Sequence, residues 1–161
     1  METQPRYVEL LKILVNADVN MVVVGGVAMV LHAYDGFTYD VDICFERTPE
    51  NAERLCRALS PHCQPIRSAF FDVVNLLTTI TKGEKIKTDL GEIDLIGEIS
   101  GLGDYYQLLK HSEPVEVEDF VVQVLTLDGL IKAKEAANRA KDQVHLITLR
   151  ALKKMEDEES Q

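Results

Sequence analysis

A chain of 161 residues with 46% apolar content, no Trp and a formal charge of −10 is sized for one domain with a sizeable core. Its apolar runs fall short of the ~18 residues of a membrane span, and its acidity argues against broad binding to a phosphate backbone, which rests on Lys and Arg. The cysteines Cys44, Cys56 and Cys63 form no CxxC pair, and METQPRYVEL lacks the order of a secretory leader, so a cytoplasmic protein with reduced thiols is expected.

YVELLKILVNA predicts a helix over 7–17 with a wide buried face, and MVVV a short buried strand over 21–24. Gly25 and Gly26 make a sharp passage into a helix over 27–34, VAMVLHAY. YDVDICF predicts a strand over 39–45. TPENAERLCRAL predicts a helix with Thr48 as N-cap, Pro49 at its first position and Glu50 in its first turn. FDVVNLLTTI and KIKTDLGEIDLIG are extended segments around a turn at TKGEK. PVEVEDFVVQVLT predicts a hairpin with Glu118 and Asp119 at its tip. LDGLIKAKEAANRA and DQVHLITLRALKKM predict two helices broken near 140–142, with Asp142 as N-cap of the second. The expected architecture is α/β: a mixed β-sheet flanked by helices, with C-terminal helices, as a single domain over 1–155 and a disordered acidic tail over 156–161.

The carboxylates carry the chemistry. Residues two apart on a strand share a face, so Asp40 and Asp42 repel unless a cation sits between them. Asp94, in EIDLIG, adds a third carboxylate on an apolar strand, although Glu92 shares its face and is an alternative third ligand. Unpaired, each would cost several kcal/mol, so the group is protonated, hydrogen-bonded or gathered around a metal. Carboxylate oxygens suit Mg²⁺ or Mn²⁺, the ions of nucleotide-phosphate chemistry. The competing reading is that Asp40 and Asp42 face solvent on an edge strand.

Other features are less specific. VGGVAMV lacks the third glycine of a dinucleotide-binding turn, and the chain has no GxxxxGK[ST] loop. His62 beside Cys63, between prolines, reads as a surface loop, and His32 as a packing histidine. Over 130–155 seven bases, among them Lys132, Lys134, Arg139 and Lys141, face two acids, a local balance of +5. This segment serves phosphates locally or forms a solvated helical face.

GG, DVD and EIDLIG, followed by LDGLIKAKEAANRAKD, resemble the nucleotidyltransferase superfamily, and within it the small bacterial AbiEii-type toxin nucleotidyltransferases, over roughly 21–152. The resemblance implies that Gly25 and Gly26 hold NTP phosphates through backbone N–H groups. It implies that Asp40, Asp42 and Asp94 form the catalytic metal site, and that Lys134, Arg139 and Lys141 meet the triphosphate or acceptor. The implied reaction moves NMP from an NTP to a hydroxyl of an RNA end, a protein or a small molecule, as an enzyme that an antitoxin protein would partner. Two departures stand out. GFTYD, with Gly36 and Tyr39, lies where relatives commonly carry arginines before the first Asp, and His145 replaces an acidic residue. The missing arginines and the small size favour a rival reading as a catalytically silent interaction domain; a metal-dependent phosphohydrolase is a third reading.

Overall fold

Each residue of MVVV is buried, and β-branched side chains at that density suit a strand covered on both faces. This strand, β1 (Met21–Val24), is central in the computed structural model, which describes residues 6–33, 40–63 and 84–160. The other strands are β2 (Val41–Phe45), β3 (Glu84–Thr88), β4 (Gly91–Ile96), β5 (Glu98–Ile99), β6 (Gly103–Asp104), β7 (Ser112–Val117) and β8 (Phe120–Leu125). β5 and β6 pair separately; the rest form a six-stranded mixed sheet in the order β3-β4-β2-β1-β8-β7. The pairs β1–β8 and β2–β4 are parallel, and the neighbouring pairs are antiparallel. Val22, Ile43, Phe45, Ile93, Leu95 and Val124 are fully buried at its centre. FDVVNLLTTI and most of the expected TKGEK turn lie outside the described residues.

Helix α1 (Arg6–Asn16) buries Val8, Leu10, Leu11 and Leu14, the spacing of one helical face. In α3 (Pro49–Leu59), Thr48 accepts from the Asn51 backbone N–H at 3.3 Å, the cap expected from the sequence. The β7–β8 hairpin also forms as expected. Val117 pairs with Phe120, which leaves Glu118 and Asp119 as a two-residue loop, with Glu118 at φ 53°.

Several boundaries differ from expectation. Helix α2 (Gly25–Leu31) starts at the glycines and stops early, because Ala33 turns left-handed at φ 68°. β2 starts at Val41, which leaves Asp40 before the strand rather than on its face. KIKTDLGEIDLIG is two strands, β3 and β4, turned at Asp89 and Leu90, where Thr88 Oγ1 donates to the Gly91 carbonyl and accepts from the Leu90 N–H. Short helix α4 (Tyr105–Leu109) is capped by Asp104, which accepts from the Gln107 N–H.

At the C-terminus, α5 (Leu127–Ala137) and α6 (Ala140–Glu159) break at Asn138 and Arg139, earlier than expected. Asn138 takes the left-handed conformation that Asn tolerates best among non-glycine residues. The acidic residues 156–159 are not a loose tail: they extend α6, because Lys153 lies 3.5 Å from Glu156 and 3.1 Å from Asp157, at helical spacings. Among the described residues, no helix is long and apolar enough to cross a membrane.

Candidate active site

The parallel pairing of β2 with β4 sets Asp42 directly beside Asp94. The two side chains are thus cross-strand neighbours on one face of the sheet. Burial first, then the charges of Asp94 and Asp40, pushes Asp42 up to about 6. Gly25 accounts for the closeness of the approach. Its φ is +66°, and a Cβ there would fall on the Asp42 carboxylate, inside contact distance. Gly25→Ala is therefore expected to lose about 1–3 kcal/mol to backbone strain and to displacement of Asp42, read as a lowered midpoint in urea unfolding.

Gly26 follows in the first turn of α2. Val24 is the N-cap and supplies no side-chain hydrogen bond, so the first N–H groups of the helix lack a side-chain cap. Together these residues open onto a cleft of about 680 Å³, whose lining includes Gly25, Gly26, Asp42 and Asp94 from the sheet side and Lys134, Arg139, Lys141 and His145 from α5 and α6. Met29, Ile96, Ile99 and Leu130 give it an apolar part.

The cationic side is anchored by Asp142, whose side chain is fully buried. It is not the N-cap of α6 but sits in the first turn and accepts from the Arg139 backbone N–H at 3.0 Å. The Arg139 side chain donates at 2.7 and 3.2 Å, and Lys134 Nζ lies 3.3 Å away. Those hydrogen bonds, Arg139's first, hold Asp142 well below the usual carboxylate range. Lys134 and Arg139 are thus fixed beside the cleft, whereas exposed Lys141 lines it more loosely. His145 is pushed down by burial and then by Lys134, which favours a neutral imidazole among these cations. His32 packs as expected, its Nε2 2.8 Å from the Leu125 carbonyl oxygen.

Asp40 is placed differently from its sequence reading. Its Oδ2 lies 3.6 Å from Lys85 Nζ, and Glu92 Oε2 is also 3.6 Å from that ammonium. Lys85 pairs in register with Asp94, and Asp94, Asp40 and Glu92, in that order, raise its pKa. Between the two candidates for a third carboxylate, Asp94 is the one beside Asp42. Among the described residues, no three His, Cys, Asp or Glu side chains are grouped as a metal cage. The Asp42 and Asp94 pair nevertheless has the chemistry for a hard divalent cation. Burial and then the neighbouring charges of Asp94 and Asp40 oppose ionisation of Asp42, and a hard divalent cation would offset both.

Sequence reasoning missed Lys85, and also Glu98 of β5 and Ser100 just after it, which line the cleft. The alternation in KIKT, charged residues flanking a buried Ile86, was the available signal for Lys85.

No family model matches the chain, and neither does any curated protein. Among solved structures, a "putative nucleotidyltransferase" from Thermotoga maritima is similar over 98% of this chain and 96% of that one, with a TM-score of 0.56 and 17% sequence identity. That likeness shows the fold: the mixed sheet, its flanking helices and its C-terminal helices form a nucleotidyltransferase fold.

Proposed function

We propose that the chain is a metal-dependent nucleotidyltransferase that moves NMP from an NTP to a hydroxyl acceptor. The observation that carries this reading is the half-buried Asp42 and Asp94 pair, set against Gly25 in a cleft that also holds Lys134 and Arg139. Backbone N–H groups at Gly25 and Gly26 would donate to phosphate oxygens, and the cations fixed by Asp142 would balance triphosphate charge. Asp40, Asp42 and Asp94 are the residues that would hold Mg²⁺ or Mn²⁺, which when bound offsets charge on the entering and leaving oxygens. Asp94 takes the proton of the acceptor hydroxyl. The oxygen of that hydroxyl bonds to the α-phosphorus as the bond to the bridging oxygen breaks and pyrophosphate leaves.

The finer assignment, an AbiEii-like toxin with an antitoxin partner and an RNA, protein or small-molecule acceptor, rests on the sequence resemblance. Cys44, Cys56 and Cys63 form no disulfide with one another, which suits a reducing, cytoplasmic setting. One observation favours the rival reading of a silent interaction domain: Lys85 already supplies Asp40 and Glu92 with an internal cation.

Incubation with each α-labelled NTP and Mg²⁺ or Mn²⁺ separates the two. The enzyme reading expects label on an acceptor, or on the protein itself, with stoichiometric pyrophosphate. A total absence of transfer to RNA, protein and small-molecule pools, with nucleotide bound or not, supports the silent domain.

A further inference from the structure

The outer face of α6 has no role in the cleft. This helix has 20 residues, about 30 Å of length. Leu146 and Leu149 are buried on the side that packs on α5. Away from them, Val144 is 63% exposed, Ile147 72% and Met155 57%, and Ala140 and Ala151 continue the row. The sequence steps from Ala140 to Val144, Ile147 and Ala151 are four, three and four, the repeat of a seam between two helices. Single exposed apolar residues need no explanation, but a row at seam spacing does.

Charge along the same helix selects the occupant. Arg139 and Lys141 stand at its start and Glu158 and Glu159 at its end, beyond Glu156 and Asp157, which Lys153 pairs within the helix. A parallel copy would bring two acidic ends together, which is repulsive. An antiparallel copy brings the acidic end of each helix to the basic start of the other. The register centred between Leu149 and Arg150 that does so also sets Val144 against Met155, and Ile147 level with Leu152, one residue beyond Ala151, of the second copy. Arg150, near the centre, reaches sideways to Glu135 of α5 at 3.5 Å, which draws its charge away from the seam.

We propose that two copies of this chain associate through their α6 helices, antiparallel and about a two-fold axis. Each copy then places its acidic helix end beside Lys141, at the rim of the other's cleft.

Sedimentation equilibrium of the full chain from about 2 to about 200 µM tests this, a range that spans micromolar association. The expected result is a rise from monomer to dimer mass. Ile147→Glu, an exposed site given a good helix former, is expected to abolish the dimer without lowering the unfolding temperature of dilute, monomeric protein. Glu158→Lys with Glu159→Lys is expected to weaken association about tenfold at low salt, and adding Lys141→Glu to restore it, a rescue that only the antiparallel register provides. Monomer at every concentration, a dimer indifferent to Ile147→Glu, or a failed rescue would each overturn the proposal.

Discussion

Asp42→Asn is expected to stabilise the metal-free protein at pH 8 while abolishing metal-dependent nucleotide chemistry. In the folded state the Asp42 carboxyl ionises at about 6, against 3.8 for an ordinary aspartate. Between those values the folded chain binds more protons than the unfolded one. The contribution is therefore fully present below about pH 4 and is lost as pH rises through 6. A rise of that size corresponds to about 3 kcal/mol, and partial exposure of the site lowers this to about 2 kcal/mol. Asparagine keeps the shape and removes the charge, so the variant and the parent should match near pH 4 and diverge above pH 6. For a domain of this size the gain at pH 8 is roughly 4–8 °C in Tm. Activity should fall at least about a hundredfold, the usual cost of a lost group that stabilises charge in the reaction. A gain in stability paired with a loss of activity would mark Asp42 as a functional group, since the two commonly trade against each other.

Asp142→Ala is expected to act in the opposite direction. Its side chain is fully buried, and its loss leaves Lys134 and Arg139 as like charges with no carboxylate between them. Breaking a buried pair costs about 3–5 kcal/mol, and the half-exposed Arg139 places this one near 3. Thermal unfolding at pH 7 should drop by about 6–12 °C. The pH profile differs in sign as well. Because the folded carboxyl ionises below the ordinary range, its contribution is present above about pH 4 and disappears as the medium is acidified. The difference between parent and variant should therefore shrink below pH 4, where the Asp42 variant and its parent instead converge from the other side. The two sites can be told apart by titration alone.

Much of this was legible in the residues because it is local. MVVV could only be a covered strand, Thr48 with Pro49 announces a helix start, and Glu118 with Asp119 between alternating apolar runs announces a hairpin. The glycine pair and the carboxylates were identifiable as a group, since buried charges demand an explanation. What stayed hidden depends on pairing between distant segments. The register that joins Asp42 to Asp94, and not to Asp40, is a property of β2 against β4. Lys85 was absorbed into an expected turn at TKGEK, so its place among the carboxylates, set by β3 against β4, could not be read. Asp142 looked like a cap because helix caps are local signals. Its role as a buried anchor for two cations depends on how α5 packs on α6. The acidic end of α6 was mistaken for a tail because its composition resembles disorder, and only Lys153 one turn earlier argues otherwise.

The central claim is that the Asp42 and Asp94 pair forms a joint site for a divalent cation and a nucleotide. Its most direct test is thermal unfolding of the parent chain and of Asp42→Asn with each NTP, with and without Mg²⁺. A ligand held only by the folded state at a hundred times its Kd adds about 2.7 kcal/mol, a rise of roughly 5–10 °C. The expected result is a rise that needs Mg²⁺ and an NTP together and vanishes in the variant. No rise with any nucleotide, or an equal rise in the variant, would contradict the claim.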